Sequence, residues 1–246
     1  LVAAVLYGVV PGIVKVGGWF ELAFVNGLGL PFNSGMVAYI VVLVAVVLSA
    51  IWATTKKNRL RINILYVASV ALLGIPFYGE GYKMQIAVGI LVLVFLAWGL
   101  TLKDKRGEYI LRKRVLNTSL LCMLMLMIGY STYAVIVIRS TQNTPMDQNS
   151  PEDIFSLGTY LNREQYGSRP LFFGEAYTSR PVDIDTQERI QRHENTAEEQ
   201  AAGKKDVYDI VEVQGNYVFP SEMKMFFPRM YSSKHVQAYN DRPGGV

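Results

Sequence analysis

Four apolar runs without a single Asp, Glu, Lys or Arg constrain this chain more than any other feature: Gly35–Trp52, Ile62–Tyr78, Gln85–Leu102 and Val115–Ile138. Each is near the roughly 20 residues a helix needs to cross the hydrocarbon core of a bilayer. A fifth run, Leu1–Val14, is apolar but short, and Pro11 interrupts it. Past Arg139 no run of that kind occurs. These spacings predict an α-helical polytopic membrane protein with about four full spans, one truncated span and an interfacial or re-entrant segment over residues 1–138. A small α+β extracytoplasmic region over residues 139–246, incomplete at its C-terminus, is predicted to follow. Because Leu1 lies inside an apolar run, Leu1–Val14 reads as the tail of a helix that begins earlier, and the chain as an internal fragment. A signal peptide would show a basic start and a small-residue cleavage site, and neither is there.

Charge divides at the same place. Residues 1–138 hold 12 Lys+Arg against 4 Asp+Glu, and residues 139–246 hold 12 against 16. The overall net charge of +4 would suggest nucleic acid if it were spread over one surface. Here the excess sits in two short loops. Lys56, Lys57, Arg59 and Arg61 fill one; Lys103, Lys105, Arg106, Arg112, Lys113 and Arg114 fill the other. By the positive-inside rule both loops are cytoplasmic. The segments at 15–34 and 79–84, and everything after Arg139, then face the opposite side. No nucleic-acid partner is implied. Cys122, the only cysteine, lies in an apolar run, so no disulfide can form within this chain.

Between the first two apolar runs lies VKVGGWFELAFVNGLGLPFNSG, which is apolar but broken by Gly17, Gly18, Gly27, Gly29 and Pro31. Backbone freed by Gly and Pro is costly in lipid unless it is covered. An interfacial or re-entrant helix around Trp19–Asn26 is therefore expected. After Arg139, Ser150 as cap, Pro151 at the first helical position and Ile154, Leu157 and Leu161 at helical spacing predict a short amphipathic helix. Asp185 with Glu188 resembles a capping box, so residues 185–203 read as a second, very polar helix. Val207–Val213 and Tyr217–Phe219 have strand character, with Gln214-Gly215-Asn216 as a hairpin turn between them.

The usual signatures of chemistry are missing. No Gly-rich phosphate loop, metal-spaced His/Cys group or nucleophile elbow occurs. Asp183-Ile184-Asp185 matches a short metal-holding pattern, but two acids in three residues arise often by chance. Substrate contacts are better sought in NREQYGSRP, where Arg163, Glu164, Tyr166 and Arg169 cluster, and at Arg229 in FFPRMY. Guanidinium groups grip phosphate or carboxylate by paired hydrogen bonds, and a tyrosine ring can stack on a sugar face. The competing reading of the same residues is a structural ion-pair network. No metal, cofactor or catalytic residue is implied by these patterns.

Three segments carry a resemblance. WFELAFVNGLGLPFNSG from Trp19, TPMDQNSPEDIFSLGTYLNREQYGSRPL from Thr144 and FFPRMYSSKHVQAY from Phe226 resemble a family of large bacterial multispanning membrane proteins. That family, formerly of unknown function, is similar to a eukaryotic endoplasmic-reticulum protein O-mannosyltransferase and is grouped with the GT-C glycosyltransferases. The resemblance implies an enzyme of the bacterial inner membrane. It would transfer a mannose-like sugar from a polyprenyl-phosphate donor to Ser or Thr of an acceptor protein, on the extracytoplasmic side. In such enzymes an acid in the first external loop serves as general base. That loop would precede Leu1, so no catalytic residue is carried over to this chain. The rival readings are a non-enzymatic membrane scaffold with a partner-binding external domain, and a lipid or polymer transporter.

Overall fold

The computed structural model describes residues 8–56, 58–78, 82–104, 107–142, 145, 147, 149–162, 172–176, 178–193, 195, 199, 203–228 and 232–241. The chain divides into two compact units. One comprises residues 1–158 with 192–208, the other residues 159–191 with 209–246.

The first unit is helical. Helix α1 (Val10–Leu22) continues as a π-helical turn (Ala23–Gly27), and α2 (Ser34–Thr54), α3 (Arg59–Leu72), α4 (Tyr82–Thr101), α5 (Lys113–Tyr130) and α6 (Thr132–Ser140) follow. Among the described residues three helical stretches are long and apolar enough to cross a membrane: Ser34–Thr54, Lys83–Thr101 and Lys113–Ser140. These correspond to three of the four expected spans. The fourth, expected over Ile62–Tyr78, is corrected to the 14-residue α3. At 1.5 Å per residue it reaches about 21 Å, short of the ~30 Å hydrocarbon core. It stops because Gly74 takes a left-handed φ of 72° and Pro76 follows.

The expected break inside the N-terminal segment is also corrected. Trp19–Asn26 is helical as expected, but it continues the same helical stretch as Val10. Pro11 falls in the first turn, where a missing N–H costs nothing. Gly17 and Gly18 are buried in α1 rather than breaking it. A Cβ on Gly17 would stand 2.3 Å from Ile154 Cδ1, and one on Gly18 2.8 Å from the Phe155 ring. The two glycines form a notch that receives the start of α7 (Ile154–Leu161). Trp19 meets Phe77 edge to face at 5.1 Å.

Two apolar cores hold the bundle together. Val16, Tyr39, Leu43, Val47 and Leu73 fill one; Ala53, Ile62, Leu100 and Leu116 fill the other. The Tyr39 hydroxyl donates to the Leu72 carbonyl at 2.8 Å, satisfying a group at the end of α3. The outward faces remain apolar. Val37, Val41 and Leu48 on α2, with Leu91, Phe95 and Trp98 on α4, are exposed.

The second basic loop folds back as a turn closed by a Lys103–Tyr109 bridge, and it meets the first. Lys113 Nζ donates to the Lys56 carbonyl at 2.8 Å, and the Arg59 guanidinium donates to the Leu111 carbonyl at 2.7 Å. Both basic loops thus share one end of the bundle.

Helix α7 begins three residues later than Ser150 would place it. Asp153 is its cap: Oδ1 accepts from the Ser156 N–H at 2.8 Å, and the Ser156 hydroxyl accepts from the Asp153 N–H at 3.1 Å. Ser150 sits at a φ of 36° and cannot play that part. In the second unit, β1 (Phe173–Glu175) pairs antiparallel with β4 (Lys224–Phe226). A separate two-stranded ribbon joins β2 (Asp183–Arg192) to β3 (Tyr208–Val218). Here two expectations fail. Asp183–Arg192 is a strand, not the start of a polar helix. Gln214-Gly215-Asn216 lies inside a continuous strand, and Gly215 lacks the positive φ that a tight hairpin turn requires. A short helix α8 (Val236–Asn240) ends the described chain.

Candidate functional site

Arg163, Glu164, Tyr166, Arg169 and Arg229, the residues singled out for substrate contact, lie outside the described residues. The most developed polar constellation that is described belongs to the first unit. It is built around Glu21.

Glu21 lies in the last turn of α1 and is completely buried. An isolated carboxylate would not survive there without strong partners. It has three. Oε1 accepts from the Asn33 N–H at 2.5 Å and from the Tyr208 hydroxyl at 3.1 Å, and Oε2 accepts from the Met36 N–H at 2.8 Å. Asn33 and Met36 bracket the start of α2, so the carboxylate occupies the positive end of that helix. Asn33 makes the approach possible with a left-handed φ of 68°. Gly35 makes it close, because a Cβ there would stand 2.4 Å from Glu21 Cα.

Around this carboxylate the chain gathers segments far apart in sequence. The Asn26 amide pairs with the Tyr208 backbone in both directions, each bond 2.9 Å, imitating a strand partner. The Tyr208 ring stands edge-on between Phe32 and Phe155, at 4.9 and 5.1 Å. Burial raises the Tyr208 phenol well above its ordinary value, and the negative charges of Asp153 and Glu21 push the same way. Arg192 closes the cluster. Its guanidinium reaches Glu152 Oε2 and the Glu152 carbonyl, both at 2.8 Å, and lies 4.8 Å from the centre of the Phe32 ring. Its Nε stands 3.1 Å from Asp153 Oδ2 but lacks hydrogen-bond alignment, so that contact is a charge pairing only. Asn33 Nδ2 also donates to the Glu152 carbonyl, at 3.0 Å.

Chemically, this arrangement fixes rather than reacts. Glu21 is shielded and spoken for by three donors, and Arg192 is engaged by two acids and a carbonyl. The cluster ties α1, the start of α2, the cap of α7 and the segment 192–208 into one joint. It lies at the end of α2 opposite to Thr54 and the basic loops. Among the described residues no group of three or more His, Cys, Asp or Glu stands close enough to hold a metal ion. In the sequence Glu21, Asn26 and Asn33 stand as isolated polar residues in an otherwise apolar segment. The buried acid in an apolar helix was the available signal, since such a residue requires partners. The partners themselves lie up to 187 positions away and were not readable.

A family described as a family of unknown function (DUF8416) matches residues 167–244, less than half of the chain. No curated protein and no solved structure matches it.

Proposed function

We propose that this chain is part of a membrane glycosyltransferase of GT-C type, which moves a mannose-like sugar from a polyprenyl-phosphate donor to Ser or Thr of an acceptor protein on the extracytoplasmic side. The resemblance of the segments beginning at Trp19, Thr144 and Phe226 motivates the reaction class. The observation that carries the reading is the two-ended helical bundle. One end is basic; the other bears the Glu21 joint and receives the chain that follows the last apolar helix. A lipid-linked donor is confined to the bilayer, whereas a protein acceptor arrives from water. Transfer between them requires apolar helices joined to a polar region at one face.

In the proposed reaction the acceptor hydroxyl attacks the anomeric carbon and its proton passes to a carboxylate base. The bond from that carbon to the phosphate oxygen breaks, and polyprenyl phosphate leaves with the electron pair. None of the described carboxylates is assigned as the base. Arg163, Arg169 and Arg229 would neutralise the departing phosphate or hold the acceptor.

Membranes containing the full-length protein, given polyprenyl-phosphate-linked labelled mannose, are expected to label protein hydroxyls. Arg163→Ala with Arg169→Ala should lower that transfer by tenfold or more. Unchanged transfer in the double variant would remove the role given to these arginines; no transfer by the wild type would remove the enzyme reading. The scaffold alternative keeps one specific support, the full internal engagement of Glu21 and Arg192, and it predicts the latter result.

A further inference from the structure

The two ends of the bundle differ in more than charge. At the basic end Trp52, two residues before the end of α2, remains 53% exposed. Two cations are drawn over its ring: Lys56 Nζ at 4.8 Å and Arg61 Cζ at 5.5 Å from the centroid. Both side chains are exposed, and neither has a carboxylate partner among the described residues. No Asp or Glu occurs between Glu21 and Glu80, so none can come from the local chain. Lys113 is used differently. Its bond to the Lys56 carbonyl holds the loop in place. Beneath the cations the surface turns apolar at once. Leu48 lies one turn from Trp52 on α2, Ile64 lies one turn from Arg61 on α3, and both are exposed.

An exposed indole at the end of an apolar helix marks headgroup depth, and paired cations there attract a negative headgroup. We propose that Trp52, Lys56 and Arg61 form a binding site for the phosphate of an anionic glycerophospholipid, whose acyl chains run along Leu48 and Ile64. The guanidinium and ammonium grip the phosphate, and the ring holds both cations in register. The site lies at the end of the bundle opposite to the Glu21 joint, so it is distinct from any donor site at the extracytoplasmic face. It rests on the membrane placement in the proposed function but not on the transferase activity.

The test compares the full-length protein with its Trp52→Phe variant, whose difference in quenching isolates the Trp52 signal from that of the other tryptophans, in nanodiscs of phosphatidylcholine mixed with brominated phosphatidylglycerol or with brominated phosphatidylcholine. Trp52 fluorescence should report a preference for the anionic lipid of roughly tenfold. The preference should vanish in Lys56→Gln/Arg61→Gln and persist in Arg112→Gln/Arg114→Gln, which removes equal charge from the same end. Equal quenching by both lipids, or equal loss in both double variants, would overturn the site. Displacement of the brominated phosphatidylglycerol effect by inorganic phosphate would also overturn it, by assigning the cations to a soluble anion. Quenching by neither lipid would overturn the membrane placement too, whereas a failed sugar-transfer assay would leave this result standing.

Discussion

At the scale of single residues, Glu21 has the largest consequences. Replacing it with Ala orphans two backbone N–H groups at the start of α2 and the Tyr208 hydroxyl. Each buried, unsatisfied group costs about 1–3 kcal/mol. Glu21→Ala is therefore expected to destabilise the detergent-solubilised protein by about 3 kcal/mol or more, read from denaturant unfolding. A loss no larger than that of an exposed Glu222→Ala control would contradict the joint. Tyr208 adds a pH signature. Its folded phenol titrates above the ordinary value near 10, chiefly through burial. When pH rises past that value the unfolded chain sheds the proton first, which favours unfolding. Stability should thus be fully present below about pH 10 and fall above it. Tyr208→Phe should reduce that alkaline slope while retaining the ring contacts to Phe32 and Phe155. An identical slope in wild type and variant would contradict the assignment.

At the scale of elements, close approach is the organising device, and it ranks the glycines. A Cβ on Gly35 meets Glu21 backbone at 2.4 Å, and one on Gly12 meets Gly74 backbone at 2.7 Å. Backbone cannot swing aside. A Cβ on Gly17 meets the tip of Ile154, a flexible side chain. Gly35→Ala and Gly12→Ala should reach or exceed the upper end of the ~1–3 kcal/mol typical of overpacking, and Gly17→Ala should stay lower. Thermal unfolding of the three variants checks the order, and a larger loss for Gly17→Ala would reverse it.

The elements also show what could be read in advance. Gly35–Trp52 became Ser34–Thr54 because an uninterrupted apolar run needs no distant information to be helical. The apolar run Ile62–Tyr78 outlasts its helix because apolarity continues past Leu72 while the backbone turns at Gly74. Local polarity over residues 185–203 suits a solvated helix, yet Asp183–Arg192 is a strand. Its strand state depends on pairing with Tyr208–Val218, and no local pattern announces that pairing. The Glu21 joint follows the same rule: the acid was visible, its partners were not.

At the scale of the whole molecule, the central claim is that the basic loops and the chain after the last apolar helix lie on opposite sides of a membrane. The bundle supplies the two ends, and the charge pattern orients them. Three exposed positions report on this directly: Glu108 in the basic loop, Thr141 just past α6 and Glu222 in the second unit. In a cysteine-free background that includes Cys122→Ser, each is changed singly to Cys in the full-length protein. Intact bacterial cells with a permeabilised outer membrane are then treated with a membrane-impermeant maleimide. Labelling at Thr141→Cys and Glu222→Cys, with Glu108→Cys labelled only after the inner membrane is disrupted, is the predicted result. Labelling of Glu108→Cys in intact cells, or protection of the other two, would contradict the account.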